Sequence, residues 1–324
     1  MELIRVDNLT KRFDELTAVD HISFTIEEGE IFGFLGPNGA GKTTTLSILS
    51  TLLSQTSGDA YVNGYNIKTQ QNEVRKSIGV VFQDPTLDEE LTARENMHIH
   101  GKLYGMKKTG DKIDELLELV ELEKWKNKLV KTFSGGMKQR LEIARGLLHE
   151  PRILFLDEPT LGLDPQTRNH LWDYIQKMNQ EKKVTIILTT HYMDEADKLS
   201  DRVAIIDHGK IVAMDTPKRL KENAGESVIR IETEKGAMIE ELLSGREWIE
   251  NTKVHNGFVD ISLQNAEKRI AEVIKLLKDT PIESVSLRVP SLEEVFLNYT
   301  GRTIREQEAT SKDRLRTHSR VGRR

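Results

Sequence analysis

The sequence predicts an α/β domain of the phosphate-loop class with a helical stretch set into it, followed by a small α+β domain. Three observations carry that prediction. Ile31 to Thr44 reads IFGFLGPNGAGKTT, a short apolar run suited to a buried strand followed by G-x-x-x-x-G-K-[ST] met at every fixed position. Leu46, Leu49, Leu52 and Leu53 then recur at helical spacing, so the loop leads from a strand into a helix. Two further apolar runs, ILFLDE at 153–158 and VTIIL at 184–188, end in polar residues, as parallel strands do where a sheet meets its ligand. After Pro217 such motifs stop, and short strand and helix patterns alternate.

Length and composition set the bounds. At 324 residues, 37% of them hydrophobic, the chain suits two domains and can bury a sizeable core. It has no cysteine, which excludes disulfides and thiolate metal sites. A net charge of −5 argues against a nucleic-acid binder held by a general basic surface, so no nucleic-acid partner is expected. The opening MELIRVDNL lacks an apolar core of signal-peptide length, and no stretch approaches the roughly 18 apolar residues of a spanning helix. The expectation is a cytoplasmic protein whose membrane role comes through a partner.

Residues 2 to 6 and 19 to 26 alternate in strand fashion, with Ile22, Phe24 and Ile26 on one face. Lys11-Arg12-Phe13, between them, has little periodicity; Phe13 reads either as a ring that stacks on a purine base or as a core aromatic. In the glycine-rich loop, Gly36, Pro37, Asn38, Gly39, Ala40 and Gly41 turn backbone N–H groups onto a phosphate chain, with Thr44 at its end. Lys42 supplies a point charge there, and the Thr43 hydroxyl can hold Mg²⁺. Short strands follow, among them Asp59 to Val62, and Ile78 to Phe82 reads as a buried strand ending in Gln83-Asp84.

From Asp84 to about Glu150 the pattern is helical. Ile113, Leu116, Leu117 and Val120 give an amphipathic helix, preceded by a loop over Lys107 to Gly110. Ser134-Gly135-Gly136 opens another helix, which carries Leu141, Ala144, Leu147 and Leu148; its N–H groups make a second anion site, or Ser134 is an N-cap and the glycines a turn. At the end of ILFLDE, Asp157 is placed to hold Mg²⁺ and Glu158 to orient or deprotonate an attacking water; the alternative is a helix cap or a salt-bridge pair. Asp164, before Pro165, starts the next helix. His191 follows the strand VTIIL and should reach the same sheet edge as Asp157 and Lys42. Val203 to Asp207, His208-Gly209 and Ile211 to Ala213 form a closing hairpin.

Beyond Pro217 the pattern is strand-like Val228 to Ile231, helical Ala237 to Leu243, alternating Phe258, Ile261 and Leu263, helical Ala266 to Leu277 and strand-like Val285 to Val289. That order fits a small α+β domain of ferredoxin-like order. Ser291-Leu292-Glu293-Glu294 fits a capping box, and the Arg-rich tail from Arg302 reads as weakly ordered, either solvated or in contact with lipid head groups.

Taken together, the motifs resemble an ATP-binding cassette (ABC) protein, the motor subunit of ABC transporters, over about Met1 to Lys221. The resemblance implies a P-loop NTPase fold with a helical subdomain at about 84–150, a 222–300 accessory domain and a 301–324 tail. It assigns Gly36 to Thr44 to Walker A, Gln83 to a contact with Mg²⁺ and the attacking water, and Asp157 and Glu158 to the end of Walker B. Phe133 to Met137 matches the signature, Leu161 to Asp164 the D-loop, and His191 the switch histidine, while Phe13 takes the place of the adenine-stacking aromatic. In that family the signature of one cassette contacts the γ-phosphate held by another, which implies a homodimer closed head to tail over ATP and Mg²⁺. Phe133 and Met137 depart from the commonest signature, LSGGQ. The wording FSGGMKQRLEIARGLL with a C-terminal SLEEVFLNYTG resembles the daunorubicin-resistance type of export ATPase, which pairs with a separate ABC-2 type permease at the inner face of the cell membrane. The rival reading is an ABC ATPase not coupled to transport, acting in translation, DNA repair or regulation.

Overall fold

The computed structural model describes residues 1–225, 227–255, 257–263 and 266–301; the basic tail read from Arg302 lies outside them. The chain divides into two compact units, Met1–Pro217 and one beginning at Lys218, so the break falls just ahead of the boundary at 221 that the resemblance implies.

The first unit opens with β1 (Glu2–Phe13) and β2 (Leu16–Glu27), then β3 (Ile31–Leu35) and α1 (Lys42–Leu49). Next come β4 (Ser57–Val62), β5 (Tyr65–Asn66), α2 (Gln71–Ser77) and β6 (Ile78–Val81). The helical stretch holds α3 (Ala93–Leu103), α4 (Gly110–Leu119) and α5 (Gly135–Leu147). The unit closes with β7 (Ile153–Asp157), α6 (Pro165–Lys182), β8 (Thr185–Thr190), α7 (Met193–Leu199), β9 (Arg202–Asp207) and β10 (Lys210–Asp215).

Its main sheet has the order β10-β9-β3-β8-β7-β6, parallel except where β10 hairpins back on β9. Every residue of β3, β7 and β8 is buried, which is why β3 and β7 read as apolar runs up to Asp157, while β8 carries Ile186 to Leu188 between buried threonines. Register sets Leu35 beside Thr190 and Asp157 beside Thr189, so the loops after β3, β7 and β8 leave from one edge. A smaller antiparallel sheet, β2-β1-β4-β5, packs on it through aromatic rings: Phe24 stacks on Phe32 at 5.5 Å and meets Phe34 edge-on at 5.2 Å.

β1 and β2 run well past the expected 2–6 and 19–26, and Lys11-Arg12-Phe13 is strand. Their pairing shifts register repeatedly, between Val6 and Leu9 and between Leu9 and Lys11 among others, with Asn8 and His21 at φ 49° and 52°. Each bulge resets the inside–outside alternation, so a long strand reads as short pieces. α2 was not anticipated; Val74 is the one apolar residue it buries, too few for a periodicity. α4 already starts at Gly110, within the expected loop, and buries Ile113, Leu116 and Leu117. A capping box of Thr92 and Glu95 fixes the start of α3, and Arg94 ties it to Asp114 of α4 with two bonds of 2.8 and 3.0 Å.

In the second unit, α8 (Pro217–Ala224) precedes β11 (Ser227–Glu232), α9 (Gly236–Leu243), β12 (Ile249–His255), β13 (Phe258–Leu263), α10 (Ala266–Leu276), β14 (Ser284–Arg288) and α11 (Leu292–Thr300). The antiparallel order β12-β13-β11-β14 is the ferredoxin-like arrangement. Val259, Ile261 and Leu263 form the buried face of β13; Phe258, expected with them, is an odd number of residues away and points to the other face. β12 escaped the sequence reading because this edge strand buries none of its residues fully. Ser291 and Glu294 form the expected capping box on α11.

Candidate nucleotide site

The loop between β3 and α1 is shaped by backbone contacts that only glycine permits. Gly41 has φ 108°, and a Cβ there would lie 2.4 Å from the carbonyl oxygen of Ala18. The loop delivers Lys42 as the first residue of α1, with only 4% of its surface exposed. Its Nζ donates to the carbonyls of Gly36 (2.7 Å) and Pro37 (3.1 Å) and sits 3.2 Å from Glu158 Oε1. Next to it, the Thr43 hydroxyl donates to Asp157 Oδ1 at 2.9 Å, and the Thr189 hydroxyl donates to the same oxygen at 2.5 Å.

Glu158 is gripped from both sides. Its Oε2 lies 2.5 Å from Nδ1 of His191 and its Oε1 faces Lys42. Burial alone pushes its carboxyl up, but His191 and Lys42 outweigh burial and hold it below the usual carboxylate range. Its backbone is left-handed, φ 50°, a conformation that costs a non-glycine residue on the order of 1 kcal/mol. Two bonds hold it there, from its N–H to the hydroxyl (3.0 Å) and carbonyl (3.1 Å) of Thr189. His191 is steadied by Tyr192, whose ring lies 4.1 Å away and carries the Arg168 guanidinium on it, also at 4.1 Å.

Sequence reasoning missed Glu195, on α7. It is fully buried, and its Oε1 accepts from the Thr160 hydroxyl and the Trp172 indole N–H, both at 2.9 Å. Burial pushes its carboxyl up. The bonds tie the turn after Glu158 to α6 and to the helix following His191. Nothing in MDEADKL separates this carboxylate from its exposed neighbours, so no local signal marks it.

Lys42, Thr43, Asp157, Glu158 and His191 thus converge. Thr43 and Asp157 place a hydroxyl and a carboxylate oxygen side by side, a hard-oxygen pair suited to Mg²⁺. Among the described residues no group of three or more His, Asp or Glu could cage a metal alone, so a cation here would need phosphate oxygens or water as well. Gln83, two residues beyond β6, is exposed and has no hydrogen bond to Thr43 or Asp157 among the described residues. Phe13, at the end of β1, is 42% exposed, which excludes a core role; Lys11 Nζ lies 4.8 Å from its ring centre.

Ser134 and Asp164 both act as helix caps. The Ser134 hydroxyl accepts from Met137 N–H at 3.3 Å, with Gly135 and Gly136 in the first turn of α5. Asp164 accepts from the N–H groups of Gln166 (3.1 Å) and Thr167 (3.0 Å). Among the described residues, no hydrogen bond or ion pair joins either one to Asp157 or Glu158. Phe133 is a core residue, edge-on to Trp125 at 5.9 Å, and Met137 packs against the same cluster. Phe133 and Met137 therefore anchor the turn at the start of α5 by packing.

A second cleft, of about 440 Å³, opens between β6 and the helices α3 and α5. Leu52, Phe82, His100, Tyr104, Arg145 and His149 are among its lining residues. Tyr104 stacks on His149 at 3.8 Å, and His149 Nε2 lies 2.8 Å from the carbonyl of Ile78. Burial, with the charges of Arg145 and His149, lowers His100 to about 4, so it folds neutral. The unfolded chain takes up that proton below its ordinary value of 6.5, so stability should fall as pH drops from 6.5 towards 4. Urea midpoints measured from pH 7 to 4.5 should show this slope, and His100→Gln should flatten it.

Comparison with known proteins agrees with this geometry. The ABC transporter family model matches residues 19–161, and a model for the C-terminal domain of DrrA1-3-like ATP-binding proteins matches residues 216–300. The linearmycin resistance ATP-binding protein LnrL of Bacillus subtilis is 38% identical over 312 residues, 94% of this chain and 100% of that one. The chain belongs to the ABC transporter family. Another relative of this ABC subunit is the daunorubicin/doxorubicin resistance ATP-binding protein DrrA of Streptomyces peucetius, 37% identical over 92% of each chain. The Nod factor export ATP-binding protein I of a Rhizobium species is 37% identical over 93% of this chain and 99% of its own. Among solved structures, cbiO1 of Clostridium perfringens, part of an ABC transporter complex, aligns with a TM-score of 0.62 at 30% identity, covering 68% of this chain and 90% of that one. A dimeric ATP-binding cassette in a post-hydrolysis state, bound to ADP and phosphate, aligns with a TM-score of 0.59 at 30% identity, covering 66% and 98%. The ABC cassette is an ATPase domain, and its nucleotide is ATP. Among the described residues, no helix of this subunit is long and apolar enough to cross a membrane.

Proposed function

We propose that this protein is the ATP-hydrolysing subunit of an ABC-2 type export system that moves a drug, antibiotic or lipid-like substrate through a separate membrane permease. The observation that carries the chemistry is Glu158 held between Lys42 and His191 at the edge where the phosphate loop opens. Lys42 binds the β- and γ-phosphates, the loop N–H groups cradle them, and Phe13 stacks on the adenine. Once ATP draws Lys42 onto phosphate, Glu158 Oε1 is free to orient a water in line with the γ-phosphate and accept its proton. His191 keeps the other carboxylate oxygen in place. Thr43 and Asp157, with Gln83 moving in from its exposed loop, would hold Mg²⁺, which supplies charge neutralisation on the phosphates.

Each copy holds half of the hydrolysis site. Ser134 to Gly136 sit at the start of α5, a helix N-terminus suited to an anion, and the dimeric cassette among the solved relatives favours two copies closing head to tail, each capping the other's γ-phosphate. The cleft beside β6, with exposed Leu52, Phe82 and Tyr104 at its mouth and Gln83 next to it, is where closure would reach a cytoplasmic element of the permease. Export is supported by relatives that carry resistance or export in their names and align over nearly the whole chain, C-terminal domain included. The subunit would then sit at the inner face of the cell membrane. Affinity purification of the full chain from its own cells should bring down a membrane protein with about six apolar spans. Stable association with ribosomes or DNA, without a membrane partner, would refute the transport reading.

A further inference from the structure

The first turn of α6 touches two motifs at once. Asp164 caps that helix, and three residues on, the Thr167 hydroxyl donates to Asp164 Oδ2 at 2.6 Å. The methyl of the same side chain faces the signature turn: a Cβ on Gly136 would lie 2.3 Å from Thr167 Cγ2. One residue earlier in the signature, a Cβ on Gly135 would lie 3.6 Å from Leu163 Cδ2. A β-branched residue in a helix has restricted χ1, so one rotamer serves both contacts, hydroxyl to the 161–164 turn and methyl to the signature glycine. The Thr167 hydroxyl is also the first of the groups that hold the Asp164 carboxyl below the usual range.

We propose that Thr167 is a positioning residue that locks the signature turn to the 161–164 turn, so that the two present themselves to a second copy as one rigid edge. The inference rests on the head-to-tail dimer reading. Glycine at 136 is then required for the close approach of two helix starts as well as for access of N–H groups to phosphate. Placing both turns from a single side chain matters because a misplacement of about 1 Å in a phosphate-stabilising group can cost up to about a hundredfold in rate. ATP binding by the isolated subunit does not use this edge, because the phosphate loop, Lys42 and Phe13 lie elsewhere.

Two substitutions take the contacts apart in the full chain. Thr167→Val keeps a methyl for Gly136 and removes the hydroxyl from Asp164; Thr167→Ser keeps the hydroxyl and opens a gap beneath Gly136. Each should lower kcat about tenfold with KM for ATP changed less than about twofold, the pattern of an edge that acts only once two copies have closed. In a Glu158→Gln background, each should raise the ATP concentration needed to form a dimer, read by light scattering on a sizing column. Wild-type kcat in both variants, or a lowered melting temperature with kcat untouched, overturns the proposal. If Glu158→Gln alone stays monomeric in ATP, the dimer reading fails and the split between kcat and KM still judges Thr167. If it dimerises and the Thr167 variants match it, only the role of Thr167 is lost.

Discussion

Glu158→Gln should leave ATP binding intact while turnover falls by roughly 10²–10⁴-fold, the range a positioned general base contributes. Glutamine keeps the shape and a carbonyl oxygen that can face Lys42 and His191, so the fold has no reason to change. What is lost is the negative charge that aligns water and takes its proton. ATP then stays uncleaved, and the population should shift to a nucleotide-bound dimer. Single-turnover hydrolysis and light scattering in ATP measure the two arms. Normal turnover would remove Glu158 from the mechanism.

Lys42→Ala should act at the earlier step. The side chain is 4% exposed, and its charge has no substitute within the loop, so losing it should weaken ATP binding by about 2 kcal/mol or more, about thirtyfold. The variant also leaves His191 as the remaining close partner of the Glu158 carboxylate. In the wild type, Glu158 has a lowered carboxyl, so its contribution to stability is present above the ordinary 4.5 and is lost as pH falls through its folded value. Without Lys42 that folded value rises, and loss of stability on acidification should begin at higher pH. Titration of a fluorescent ATP analogue and denaturant midpoints at pH 4 to 7 test both statements; ATP affinity equal to wild type would exclude Lys42 from the phosphate grip.

Legibility followed burial. β3, β7 and β8 are buried on both faces, so their apolar runs stand out and the residues at or after their ends, Lys42, Asp157, Glu158 and His191, can be placed at one edge from the sequence. β1 and β2 were read short because bulges reset their alternation, and edge strand β12 shows too few apolar residues to register. Within the site, what escaped is whatever depends on distant neighbours. Glu195 is drawn inside by Thr160 and Trp172, and Thr167 owes its place to Gly136 and Asp164. A helix-periodicity argument sees neither, because the partners lie on other elements.

The left-handed backbone at Glu158 has an evolutionary side. Glycine, and to a lesser degree asparagine, would occupy φ 50° at lower backbone cost, but either would take away the carboxylate that faces buried Lys42 at 3.2 Å. In a lineage released from the demand for hydrolysis, relief of the backbone strain at this position would be set against loss of the carboxylate between Lys42 and His191.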